Sequence, residues 1–124
     1  MRTEAVKRPP VVQWLAMLVA TLMIASLVRL GETELAVGLI PSPWDKLAHM
    51  ATFGTIAFSL WLAVGQRWLY SCAVFAFAIA LYDEWRQLAL PGREAELADL
   101  LANGVGIVLA VLLARYIVAR GMRS

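Results

Sequence analysis

Residues 11–28 read VVQWLAMLVATLMIASLV, eighteen positions without a charge, in which Gln13, Thr21 and Ser26 are the only polar side chains. A helix needs about 17–25 apolar residues to cross some 30 Å of hydrocarbon. Two further runs meet that requirement. Residues 47–64 hold one ionisable group, His49, and residues 97–119 are interrupted by Asp99, Asn103 and Arg115. A fourth run, 68–82, is uncharged but short. It reaches spanning length if Asp83 and Glu84 are drawn to the interface, or if its helix continues to about Leu90. The expected fold is all-α, a polytopic bundle of four transmembrane helices over about 11–29, 46–65, 68–87 and 97–119, in one domain covering 1–124.

Composition agrees with this reading. Apolar residues make up 61% of the 124, mean hydropathy is +0.71, and only 16% are charged. A small soluble domain buries only about two-thirds of its surface and could not hide that excess. Disorder is excluded by the same composition, a disulfide scaffold by a single cysteine, and nothing favours nucleic-acid binding. The first run also exceeds the usual 7–15 residues of a signal-peptide core, so it is expected to remain as an uncleaved helix.

Lys and Arg set membrane orientation. With the N-terminus cytoplasmic, seven of the eleven fall inside and four (Arg29, Lys46, Arg86, Arg93) outside. Eight of the nine acids also fall outside, Glu4 being the exception. This predicts both termini in the cytoplasm of a cell (plasma) membrane protein. Trp44, Tyr82 and Trp85 at one end, with Trp14, Trp68, Tyr70 and Tyr116 at the other, fit interfacial aromatic belts.

Helices in lipid pack through small residues that allow close backbone approach. The fourth run has them at every fourth position, Ala98, Ala102, Gly106, Ala110 and Ala114. The second offers Ala51, Thr55, Ser59 and Ala63, and the third Cys72, Ala76 and Ala80. The first has no ionisable residue and reads as a lipid-facing scaffold.

Chemistry is to be sought where hydrophobicity breaks. Asp45 and His49, Asp83 and Gln87, and Asp99 and Asn103 are each spaced i, i+4, which places both members on one helix face. Glu84 lies beside the second pair, and Pro91-Gly92-Arg93 is a turn carrying a fixed cation. In the proposed topology all these residues lie at the outer end. Ionisable groups in a membrane are costly and usually face a cavity or each other. Glu32, Glu34, Glu94, Glu96, Arg29 and Lys46 read instead as solvated residues at helix ends.

Taken in order, Asp45-Lys46-Leu47-Ala48-His49 with Phe53, Asp83-Glu84-Trp85-Arg86-Gln87, Pro91-Gly92-Arg93, Asp99 and Ala102-Asn103-Gly104 resemble the VanZ-like membrane proteins. The pattern shared is DK-x-x-H-x-x-x-F, DE-x-x-Q, PGR and D-x-x-AN over about residues 43–114. Glu94 departs from the small or hydroxyl residue often found after the arginine. The resemblance implies about four membrane spans and an association with low-level resistance to glycopeptide antibiotics, teicoplanin above all. It implies no established biochemical activity.

Two readings of the polar set follow. In one, it recognises, and in an enzyme would hydrolyse or transfer, an anionic lipid or cell-envelope head group. Arg93, Gln87 and Asn103 then hold the ligand, while His49, Asp45, Asp83, Glu84 and Asp99 form the acid–base group. Water would be the nucleophile, since Ser42 precedes the motif and Ser71 lies at the opposite end. In the other, the same residues only lock the helices together. No metal is assigned, because one histidine, a lone Cys72 and the absence of HExxH leave few ligands for zinc. The cofactor is left unspecified; the expected partners are the lipid bilayer and such an anion.

Overall fold

The computed structural model describes residues 9–31, 44–87 and 97–121. These form four helices: α1 Pro10–Gly31, α2 Trp44–Val64, α3 Leu69–Gln87 and α4 Leu97–Gly121, with a 3-10 turn at Gln66–Trp68 before α3. No strand occurs among the described residues. Helices α1, α2 and α4 are long and apolar enough to cross a membrane. Helix α3 has 19 residues, and Asp83, Glu84 and Arg86 in its last turn keep it below that composition. The protein is a membrane protein of helical hairpins.

Helix α1 begins where the sequence allows. Pro10 stands at the first helical position, where its missing N–H costs nothing, and the Pro9 carbonyl accepts from the amides of Val12 (3.0 Å) and Gln13 (3.3 Å). Among the described side chains of α1 only Ala16 and Ala20 are buried, while Trp14, Leu15, Leu18 and Leu22 are exposed. The lipid-facing scaffold expected of this helix is what such a surface provides.

Between α2 and α3 the chain reverses at Gly65, whose φ of 108° favours a residue without Cβ. The Gly65 amide donates to the Trp61 carbonyl at 2.8 Å, and the Trp61 indole N–H donates to Gln66 Oε1, also at 2.8 Å. Trp61 is only 2% exposed. Replacing Gln66 by leucine would strand that indole N–H, at a cost of about 1–3 kcal/mol. A fall in melting temperature in detergent, absent from an Arg67→Leu control, is the expected result.

The core has two apolar layers. Phe53, Ile56 and Ala57 of α2 meet Ala76 and Ala80 of α3 and Ile107 and Ala110 of α4. Further along, Trp61, Leu69, Ala114 and Val118 form the second layer. Helices α2 and α4 therefore run parallel, with α3 antiparallel to both. Their starts, and the end of α3, share one end of the molecule.

The small-residue stripes fare differently. On α4 Ala102, Gly106, Ala110 and Ala114 are buried and only Ala98 is exposed; on α3 Cys72, Ala76 and Ala80 are all buried. The stripe expected on α2 is corrected. Ser59 is buried, but Ala51 and Thr55 are exposed and Ala63 is half-buried. The close approach runs instead through Gly54, where an added Cβ would stand 2.9 Å from the Gly106 carbonyl oxygen. The smallest residue on the helix decides the seam, and Ala51 and Thr55 line a groove beside it.

The aromatic side chains assigned to the belts lie on the surface. Trp14, Trp44, Trp68, Tyr70, Tyr82, Trp85 and Tyr116 are all exposed. Arg67 lies over Trp68, Arg86 over Tyr82 and Arg120 over Tyr116, with guanidinium carbons 5.3–5.6 Å from the ring centroids.

Candidate functional site

Above the apolar layers, the parallel starts of α2 and α4 and the end of α3 bring polar side chains together. Lys46 Nζ donates to Asp99 Oδ1 at 2.6 Å, joining α2 to α4. His49, one turn along α2, places Nε2 3.8 Å from the other Asp99 oxygen. On the α3 side, a ring nitrogen of His49 and carboxylate oxygens of Asp83 and Glu84 all lie within 4.8 Å of one another. Three helices thus meet at one histidine.

Burial separates this cluster from ordinary helix ends. Asp83, Glu84 and Asp99 are 5%, 8% and 6% exposed, and Asn103 is fully buried. The Lys46 side chain keeps a quarter of its surface. Asp99, in the first turn of α4, gains from the positive end of that helix dipole. Asp83 and Glu84 have the opposite placement. They lie in the last turn of α3, where the dipole disfavours an anion. The Asn103 amide nitrogen and oxygen are both buried without a hydrogen-bond partner. Each such orphaned group costs about 1–3 kcal/mol.

Of the residues singled out in the sequence, the structure gathers His49, Asp83, Glu84 and Asp99, with Asn103 one turn below Asp99. Asp45 and Gln87 occupy the expected helical positions, but their side chains lie outside what is described, and so do Pro91, Gly92 and Arg93 entirely. Asp99, from another helix, also approaches His49. One detail is corrected. Lys46, read as a solvated end residue, is the partner of a buried acid. Its signal was present in the sequence, since Lys46 and His49 are spaced i, i+3 and share the face that meets α4.

An apolar groove of about 510 Å³ runs along the α2–α4 seam. Leu47 and Met50 line its upper part, Gly54 and Gly106 its floor, and Phe58 and Leu113 its lower part. It begins in the first turn of α2, next in sequence to Lys46.

The family model VanZ/LLP1 matches residues 5–119. No curated protein matches the chain, and neither does any solved structure.

Proposed function

The chain belongs to the VanZ/LLP1 family, and from that premise we propose that its polar end recognises the anionic head group of a lipid or lipid-linked cell-envelope molecule. One observation supports the reading: the apolar groove starts in the first turn of α2, where Leu47 lines it and its sequence neighbour Lys46 pairs with Asp99. A hydrocarbon chain seated on the glycine floor would bring its head group to Lys46. There, the amide ends of α2 and α4 favour an anion; the motif's Arg93, outside the described residues, would supply a bidentate cation. Should a hydrolytic or transfer step follow, His49 is the base, oriented by Asp99, with water as nucleophile. Resistance to glycopeptides is inherited from the family name alone. In this reading the site faces outward from the plasma membrane, with both termini in the cytoplasm.

A second reading has support of its own. Lys46–Asp99 ties α2 to α4, which is what a purely structural lock would do. The experiment separates the two. The chain in phosphatidylcholine nanodiscs is titrated with short-chain phosphatidylglycerol, short-chain phosphatidylcholine and inorganic phosphate. Preference for phosphatidylglycerol, weakened about tenfold (roughly 1.4 kcal/mol) by Lys46→Ala beyond what any fall in melting temperature accounts for, is expected. Equal response to free phosphate removes the groove from the argument, and loss of binding only in proportion to unfolding favours the lock. In the same series, Leu97→Cys on a Cys72→Ala background should react with an impermeant thiol reagent in intact cells. Reaction only after lysis would reverse the orientation.

A further inference from the structure

We propose that His49, Asp83 and Glu84 bind a divalent transition-metal ion, with the buried Asn103 amide completing the polar shell around it. The three ligand atoms come from α2 and α3 and already lie within 4.8 Å of one another. An ion held at about 2.0–2.2 Å by each would draw them slightly closer together. Two features point to an ion rather than to a solvated cluster.

The first is Asn103. Neither end of its amide has a partner, although the residue is fully buried. It sits one turn below Asp99 on the same face of α4, and Asp99 approaches His49 at 3.8 Å. Side chains on a helix lean towards its N-terminus, and the N-terminus of α4 is at the cluster's end. That lean carries the amide towards the end of α4 that holds Asp99. An ion with its bound water offers the Asn103 oxygen a donor or a direct bond, and the amide N–H an acceptor. Apolar side chains there could do neither.

The second is the position of the acids. Asp83 and Glu84 are adjacent, buried and in the last turn of α3, where backbone carbonyls make the surroundings negative. A dication at their oxygens suits two adjacent buried carboxylates. The donor set narrows the choice of ion. One imidazole with two carboxylates suits Mn²⁺ or Zn²⁺ better than Mg²⁺ or Ca²⁺, which prefer oxygen throughout. Three protein ligands leave a position for water or for a phosphoryl oxygen. That last step rests on the head-group reading, whereas the ion itself does not.

The test uses the full chain, stripped with chelator in detergent and titrated with MnCl2, ZnCl2 and MgCl2. The free Mn²⁺ electron paramagnetic resonance signal and the melting temperature are followed. Saturable uptake of one Mn²⁺ per chain is expected, competed by Zn²⁺ and poorly by Mg²⁺, with a rise in melting temperature on binding. Glu84→Gln should weaken uptake at least about tenfold, as loss of a metal-site partner commonly does, while Arg67→Leu, at an exposed position at the opposite end, should leave it in place. No saturable uptake by wild type below about 1 mM, a −4.1 kcal/mol interaction, overturns the site even if the variant fails to fold. Uptake unchanged in both Glu84→Gln and His49→Gln overturns the ligand assignment. Phosphatidylglycerol binding that survives the chelator in a chain taking up no Mn²⁺ removes the ion and leaves the head-group reading. Mn²⁺ uptake without lipid preference does the reverse.

Discussion

Replacing Gly106 with alanine is expected to pull α2 and α4 apart. A Cβ at this position would collide with the Met50 carbonyl oxygen and stand 2.8 Å from its carbon and 3.0 Å from its Cα. All three atoms are backbone, so no rotamer change makes room. Either the helices separate or one of them bends. In lipid, helices gain nothing from hydrophobic transfer against one another, so the seam depends on van der Waals contact and weak Cα–H···O interactions at close range. Separation forfeits these contacts along the most extensive helix pair of the fold. Overpacking of this kind costs about 1–3 kcal/mol or more. Gly104→Ala provides the contrast. Its added Cβ meets only Phe77 Cε2 at 3.7 Å, an ordinary contact, and alanine is better than glycine in a helix by about 0.5–1 kcal/mol. Melting temperatures should therefore fall for Gly106→Ala and hold or rise for Gly104→Ala. Equal values for the two variants would falsify the close crossing.

Asp99→Ala should be the most damaging change in the polar cluster. It removes in one step the acceptor for Lys46 and the carboxylate facing His49. Breaking a buried ion pair costs about 3–5 kcal/mol, because a charge is left behind without compensation. An exposed pair contributes about 0–1 kcal/mol. With side chains 25% and 9% exposed, Lys46–Asp99 belongs between these limits. Asp99→Asn keeps an acceptor oxygen of the same shape for Lys46, so it should recover part of the loss. Thermal unfolding of the three proteins at low and high salt measures the difference. The gap between wild type and Asp99→Ala should narrow only slightly with salt, since the carboxylate is largely screened from solvent. If Asp99→Ala were as stable as wild type, the pair would contribute nothing to holding α2 against α4.

Much of this was legible in the residues. Helix positions followed from charge-free runs, because a membrane forces every backbone polar group into local hydrogen bonds and leaves few alternatives to a helix. The α4 stripe was legible for a related reason: alanine and glycine repeating at fourfold spacing stay on one face. Partners were harder. Asp45 and His49 share a helix face, so sequence spacing paired them locally. Asp99, fifty residues away in the chain, also approaches His49, at 3.8 Å. No periodicity within one helix reports which acid of another will arrive beside it. Lys46 was misread for the same reason: alone it is a lysine at a helix end, and only opposite Asp99 does it become a tie.

The sequence by itself determined that the protein is a membrane bundle, that its helices lie where charges are missing, and that its polar groups collect at one end. These follow from the cost of exposing charge or unpaired backbone to hydrocarbon, which each segment meets on its own. Tertiary structure alone decided that α2 and α4 run in parallel contact through Gly54 and Gly106. It also decided that Lys46 holds Asp99, and that His49 stands between Asp99 and the Asp83–Glu84 pair. Those outcomes depend on how three helices share one small space. Where two backbones touch, the placement of every side chain above the contact is fixed by it.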